Sequence, residues 1–212
     1  AVRLAFRAAE DAISTSSIKA ENLASVFASS DADTNIVHRI GSALAEDSRI
    51  VSPTDFHNSV HNAAPGYWGI AAMAKLPSNS ISACDASFAA GLLEAAASAQ
   101  QDGHDQLLVA YDIRPPDLIL SKRQMPESCG LALVLTRARS PTAQAELRMS
   151  LSLSRAGTES RLSDAALEAL RGANPAARAL PLLRLLALKQ AGAVTLRATG
   201  ELWLRLELSP CL

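Results

Sequence analysis

Helical and strand patterns alternate along the chain from its first residue to about residue 139. Apolar residues at helical spacing predict a helix over residues 3–13, a second one capped by Asp31 or Asp33, and a third over Asp85–Gln101. Short apolar runs predict strands at Leu23–Ser29, Ser80–Ala83, Leu107–Tyr111 and Leu131–Leu135. The last two runs are continuously apolar, which is typical of strands covered on both faces. Alternation at this spacing predicts a layered α/β sheet with parallel elements.

Between the second helix and the strand at residue 80, the pattern is less regular. The polar segment Arg49–Asn62 is predicted to be a loop. A helix containing Tyr67, Trp68, Ile70 and Met73 is predicted to follow it. Because Ala1 already lies inside a helical pattern, we also expect a natural strand before it.

The pattern changes after Ser140, where leucines begin to alternate with polar residues. The predicted elements are a strand with one wet face at Leu147–Leu153, a short helix capped by Ser163, a leucine-rich helix starting at Asn174-Pro175, and a hairpin of Val194–Arg197 with Glu201–Leu208. Trp203 alternates with the leucines of the last strand and should face the opposite side, where an exposed indole would indicate a contact surface. We therefore expect a main domain at residues 1–139 and an α+β extension at residues 140–212.

Composition excludes several classes of protein. The 212 residues are 49% hydrophobic and 19% charged, as in globular chains. The net charge of −1 gives no electrostatic reason to expect binding to nucleic acid or to an anionic membrane. No apolar run is long enough to span a bilayer, and no signal-peptide pattern is present. Three well-separated cysteines suit a reducing compartment better than a disulfide framework. We expect a soluble, cytoplasmic protein.

Cys84 lies where a predicted strand meets a predicted helix, which is a favourable place for a nucleophile. Backbone N–H groups at a helix start favour the thiolate and can hold an oxyanion during acyl transfer. Two observations oppose that reading. Free cysteine often behaves as a small buried hydrophobe, and the carboxylate of Asp85 beside the sulfur favours the neutral thiol.

The segment around His57, Asn58, His61 and Asn62 is dense in polar groups. Two histidines four residues apart would share a helix face and could hold a metal, but no third ligand is evident. The alternative is structural: Asn58, His61 and Asn62 would hydrogen-bond backbone groups of a loop. We favour the structural role and predict no metal site and no cofactor.

The middle of the chain resembles the N-terminal half of β-ketoacyl synthases, which have the thiolase fold. The similar segments are Ser82-Ala83-Cys84-Asp85-Ala86-Ser87 around the family's nucleophile, the strand Leu107–Tyr111, and Glu127-Ser128-Cys129-Gly130 with the apolar run that follows. Residues 52–68 look like a short subgroup, the chain length factors of aryl polyene pigment clusters. The resemblance implies a three-layer α/β/α half with one mixed, mostly parallel sheet of about five strands.

The departures from the family determine the expected function. Complete ketosynthases carry two further histidine motifs, whereas no histidine follows His104 in this sequence. Without those imidazoles to assist decarboxylation, a condensation cycle within this chain is not expected, and Cys84 is interpreted as an inactive or vestigial nucleophile.

The resemblance also implies a partner. In the family, the strand before the nucleophile lies at the dimer two-fold axis, which places Ser80, Ile81 and Ser82 at an interface. We expect a non-catalytic subunit that pairs with a complete β-ketoacyl synthase and shapes its acyl site, with acyl carrier protein as a further partner. Two alternatives stay open: an acyltransferase acylated on Cys84 with help from His57 or His61, and a homodimeric protein of ketosynthase ancestry.

Overall fold

The structure, a computed structural model, describes residues 1–154 and 157–211. The helices are α1 Val2–Ser14, α2 Thr34–Ala45, α3 Pro53–Asn58, α4 Ala63–Ala71, α5 Ser87–Asp102, α6 Asp117–Leu120, α7 Ala165–Ala173 and α8 Leu180–Ala187, with 3₁₀ turns at Ala20–Asn22, Cys84–Ala86 and Ala176–Ala179. The strands are β1 Ala24–Ala28, β2 Ser78–Ile81, β3 Gln106–Asp112, β4 Cys129–Leu135, β5 Ala145–Leu153, β6 Gly192–Thr199 and β7 Leu202–Pro210. No helix within these two ranges is both long and apolar enough to cross a membrane.

The first sheet has the strand order β2-β1-β3-β4. Strand β1 is parallel to both β2 and β3, whereas β4 runs antiparallel to β3. The predicted fold class, a mixed and mostly parallel sheet, is therefore confirmed, with four strands where about five were expected. Every residue of β3 is buried, as its apolar run predicted. The same prediction for Leu131–Leu135 is confirmed in part: alternate side chains of β4 pack on the two cores on either face of the sheet, as Leu133 and Val134 do, but β4 is an edge strand and only Leu131 is fully buried.

The second sheet is antiparallel, with the order β5-β7-β6. Its inner face and helix α5 share one hydrophobic core with the first sheet, and Leu92 of α5, Leu108 of β3 and Leu204 of β7 are all buried in it. Helices α1 and α4 cover the other face of the first sheet, where Phe6 and Trp68 pack edge to face with ring centroids 5.3 Å apart. Helix α5, which follows Cys84, thus forms a central layer between two sheets.

Three local predictions need correction. Residues Pro53–Asn58 form helix α3 inside the predicted loop, because the Ser52 hydroxyl accepts a hydrogen bond from the Asp55 N–H and proline at the first helical position suits a helix start. Met73 lies beyond the end of α4 in a left-handed conformation. The cap of α7 is Asp164, one residue after the predicted Ser163.

Trp203 lies on the face of β7 opposite the leucines, as its alternation with them predicted, but it is not exposed and so does not indicate a contact surface. Its side chain is only 4% exposed, and its Nε1–H donates to the Ser154 carbonyl at 2.8 Å. The Arg197 guanidinium lies 5.1 Å from the ring centroid, and Gly157 approaches the indole so closely that a side chain there would overlap it. Gly157 therefore covers the indole on the second face of the sheet.

Candidate functional site

Cys84 occupies a turn between the sheet and its central helix. The thiol-bearing residue is exposed and has a φ of 50°, in the left-handed region that disfavours side chains. The Ser87 hydroxyl holds the turn, because it accepts from the Ala83 N–H at 3.0 Å and donates to the Cys84 carbonyl at 2.7 Å. Strand β2 ends two residues earlier than predicted and α5 begins two residues later, since the turn interrupts both patterns.

The carboxylate of Asp85 is paired with an arginine, a contact that no local pattern in the sequence indicates. Arg123 donates from Nη1 to Asp85 Oδ1 at 2.6 Å and from Nε to Asp31 Oδ2 at 3.1 Å. Its Nη2 lies 3.3 Å from Ser30 Oγ. Arg123 comes from the segment between α6 and β4, 38 positions from Asp85, so no local spacing connects the two residues.

A buried carboxylate lies behind this ion pair. Asp112, at the end of β3, is 1% exposed and accepts hydrogen bonds at Oδ1 from the hydroxyls of Ser29 (3.1 Å) and Ser30 (2.7 Å) and from the Ser30 N–H (2.8 Å). Burial raises the pKa of Asp112, and the hydrogen bonds from Ser30 and Ser29 oppose that rise. The carboxyl end of β1 is thereby fixed to the carboxyl end of β3.

Asn174 and Ala176 join the C-terminal part of the chain to the same point. The Asn174 amide donates to the carbonyls of Asp112 (3.2 Å) and Glu127 (3.0 Å), and the Ala176 N–H donates to Asp112 Oδ2 at 3.1 Å. The sequence pattern predicted Asn174 only as a helix start. Its contact with β3 across more than 60 positions is a tertiary feature with no sequence signal.

The four polar residues of the predicted structural loop lie in different environments. His61 Nε2 is 3.0 Å from the Ser29 carbonyl, which makes that nitrogen the donor. The Asn58 Oδ1 is buried without a hydrogen-bond partner, and the Asn62 side chain makes no capping bond to α4. His57 lies on α3 with its ring centroid 6.2 Å from that of Tyr67.

No imidazole activates the thiol in the part of the chain that the structure describes. No histidine there hydrogen-bonds the Cys84 sulfur, and His61 is engaged at Ser29. No cluster of three or more metal-ligating side chains occurs among the same residues. Burial and the nearby charge of Asp112 raise the pKa of the Cys129 thiol to about 11, so that cysteine is suited to packing.

Strand β2, which contains two of the predicted interface residues, is a free edge of the first sheet. Ile81 packs partly into the core, and Ser80 Oγ is buried without a hydrogen-bond partner. Ser82, just beyond the strand, donates from its hydroxyl to the Ser30 carbonyl at 2.9 Å. One side of β2 therefore has no partner among the described residues.

Comparison with known proteins places this architecture among the ketosynthases. The chain matches, over 97% of its length and 76% of the matched chain, the solved structure of the ketosynthase ApeO in complex with its chain length factor ApeC from Xenorhabdus doucetiae, with a TM-score of 0.70 and 22% identity. It matches the ishigamide ketosynthase/chain length factor over 100% of its length and 80% of that chain, with a TM-score of 0.73 and 14% identity. No curated protein matches the sequence.

The fold is thus that of the thiolase-like ketosynthases. The family described as "Beta-ketoacyl synthase, N-terminal domain" matches residues 2–203. The chain belongs to this family.

Proposed function

We propose that the chain is a non-catalytic subunit of the chain-length-factor type. It pairs with a complete β-ketoacyl-ACP synthase, shapes or stabilises that partner's acyl site, and serves polyketide or fatty-acid-type synthesis of the aryl polyene kind. The two solved structures compared above contain a ketosynthase and a chain length factor. The observation that carries the proposal is the free edge of β2 beside a strongly apolar surface.

The backbone pattern of β2 supports strand pairing with a partner. The Ser25 N–H donates to the Pro77 carbonyl and the Ser29 N–H to the Ile81 carbonyl. In a parallel ladder with this register, odd-numbered residues of β2 bond to β1, so the backbone groups of Ser78 and Ser80 point outward. Unpaired groups of this kind at an uncovered edge are a template for another strand.

Exposed apolar side chains lie on and just after helix α4, which packs against β2. Ile70 of α4 is 79% exposed and Met73, which follows it, is 69% exposed. Helices α2 and α3, which together we call the α2–α3 arm, add a second exposed apolar surface, and a two-bond ion pair between Arg39 and Asp55 links the two helices. The exposed apolar residues of this arm are Val37, Leu44, Ile50 and Phe56. Surfaces of this kind are typical of protein–protein contacts.

In this proposal the partner performs the chemistry. The described residues offer no imidazole to Cys84, so the histidines that drive decarboxylation come from the complete ketosynthase. The arm and the edge of β2 would then contact the partner near its acyl tunnel. An approach by acyl carrier protein and a cytoplasmic location are part of the same proposal.

Co-expression with the ketosynthases encoded beside this chain tests the pairing. We expect a stable heterodimer that forms product, and loss of the heterodimer in Ser80→Pro, which removes an outward N–H while the bonds of β2 to β1 remain. Leu167→Glu changes an exposed apolar residue on α7, outside the surfaces assigned to the partner, and as a control it should leave pairing intact. A chain that stays monomeric, or pairs only with itself, contradicts the proposal.

A second candidate function rests on the exposure of Cys84. A thiol that solvent reaches at a left-handed turn before a long helix could accept an acyl group from a thioester. Incubation with an acyl-thioester followed by intact mass measurement distinguishes the two functions. An adduct that disappears in Cys84→Ser supports acylation of this chain, whereas acylation of the partner alone supports the non-catalytic role.

A further inference from the structure

Strand β5 is an uncovered edge of the second sheet. It pairs with β7 on one side, and no strand of the described residues lies on its other side. The other edge strand of that sheet, β6, packs against the 3₁₀ turn Cys84–Ala86 that follows β2. The open edge of β5 is therefore a different surface from the free edge of β2. An edge left open in this way is a template for a further strand.

We propose that this edge is a contact between two copies of the chain. The β5 strands of the two copies pair antiparallel about a two-fold axis that passes through Leu147, and the two three-stranded sheets become one continuous sheet. The inference does not depend on the proposed ketosynthase partner, which is assigned to the edge of β2.

The hydrogen bonds between β5 and β7 determine which backbone groups of β5 are available. The Cys211 N–H donates to the Gln144 carbonyl at 2.9 Å, and the Ser154 N–H donates to the Glu201 carbonyl at 3.0 Å. Both bonds follow the register of the β5–β7 ladder. In an antiparallel ladder, even-numbered residues of β5 then bond to β7, and odd-numbered residues direct their N–H and carbonyl groups outward.

The outer face of β5 carries two opposite charges without an ion-pair partner. Glu146 and Arg148 are both exposed, and neither forms an ion pair with another described residue. Arg148 lies opposite Glu207 of β7, but Glu207 pairs with Arg205 at 3.1 Å. The two charges lie on the same face of one strand, so a neighbouring strand of complementary charge can pair with both.

These charges select the register. With Leu147 on the axis, Glu146 of each copy lies opposite Arg148 of the other, in a non-hydrogen-bonded pair where side chains approach closely. The outward groups of the odd-numbered residues then bond across the axis. An axis through Glu146 or Arg148 would place like charges opposite each other. An axis through Met149 would place both charges opposite serines, so the axis through Leu147 is favoured.

The inner face of β5 adds an apolar contact in the same register. Leu147 and Met149 are half-buried and pack on the core that the two sheets share. A cavity of about 840 Å³, which Leu133 of β4 and Leu183 of α8 also line, lies beside them. In the proposed dimer, Leu147 meets its own copy at the axis and Met149 lies opposite Ala145, so the apolar face continues from one copy to the other.

Sedimentation velocity of the purified chain alone, over a wide range of concentrations, tests the contact. We expect a reversible dimer. Glu146→Arg and Arg148→Glu should each raise its dissociation constant by about tenfold, because each change replaces two attractive pairs by two repulsive ones. The double variant Glu146→Arg/Arg148→Glu again has opposite charges across the axis and should dimerise nearly as well as the unchanged protein.

Three further variants separate this contact from general damage and from the edge of β2. Glu10→Arg makes the same change of charge at an exposed position of α1 and should leave the dimer intact. Ala145→Pro removes an outward N–H at the first residue of β5 and should weaken the dimer while the bonds to β7 remain. Ser80→Pro on β2 should leave this dimer intact.

A chain that stays monomeric at every concentration overturns the proposal. Single charge reversals that dimerise as well as the unchanged protein also overturn it, and so does a loss that the double variant does not restore. A dimer that is lost in Ser80→Pro but kept in both reversals would assign self-association to β2 and contradict the proposal.

Discussion

Gly91 of α5 lies against Ala28 of β1 with no room for a side chain between them. A Cβ built on Gly91 would be 2.6 Å from the Ala28 Cβ and 3.1 Å from Leu108 Cδ1. The helix that follows the Cys84 turn can pack on the first sheet at this depth because residue 91 is glycine. The position of the turn relative to β1 therefore depends on this contact.

Gly91→Ala should destabilise the protein by about 1–3 kcal/mol, because the added methyl group overlaps the Ala28 Cβ, which can move only together with the backbone of β1. Urea unfolding measures the loss as a lower midpoint. The matched control is Gly172→Ala on α7, where no atom lies within 4 Å of the added Cβ. Alanine there should stabilise the helix by up to about 1 kcal/mol. A Gly91→Ala protein as stable as its parent would contradict this packing.

Asp112→Ala should be among the most damaging single changes, because Ser29, Ser30 and Ala176 lose a shared acceptor in the interior. One buried donor left unpaired costs about 1–3 kcal/mol. The free energy of unfolding should therefore fall further in Asp112→Ala than in Asp112→Asn, because asparagine keeps one acceptor oxygen. Urea unfolding of the two variants compares them directly.

The pH dependence of Asp112→Asn tests the raised pKa of that carboxyl. A raised pKa in the folded state means that the stabilising contribution is full below the unfolded value, about 4, and declines as pH rises through the folded pKa. The stability lost in Asp112→Asn should therefore be largest in acid and smaller at neutral pH. A loss that grows with pH would show that the carboxyl is stabilised in its charged form.

Much of the fold could be predicted because it depends on local pattern. The continuous apolar run at residues 107–111 predicted β3, and alternation predicted the antiparallel strands of the second sheet. The site could be predicted only in part. Cys84 could be found from its position between a strand pattern and a helix pattern. Arg123, which pairs with Asp85, and Asn174, which bonds to the Asp112 carbonyl, come from distant segments and could not. Whether Asp85 is paired is decided by tertiary contact, which periodicity does not encode.

Glu168→Gln should make the stability of the protein less sensitive to acid. The hydrogen bonds from the buried Arg171, at 2.7 and 2.8 Å, hold the pKa of Glu168 at about 2. A lowered pKa contributes stability that is present above the unfolded value, about 4.3, and is lost as pH falls towards 2. Unfolding curves across that window measure the difference between the two proteins. Glu146→Gln on the exposed face of β5 is the control, and an equal effect of both changes would contradict the prediction.

Trp203→Phe tests whether the indole is buried on the outer face of β7, as the structure places it. Phenylalanine keeps most of the apolar contact but loses the bond from Nε1 to the Ser154 carbonyl, so we expect a loss of about 1 kcal/mol. Trp203→Ala should cost about 3–5 kcal/mol, since it also leaves a cavity beside Gly157. An exposed tryptophan would tolerate both changes within about 0.5 kcal/mol. Urea unfolding followed by circular dichroism decides between the two positions, because that signal does not depend on the tryptophan removed.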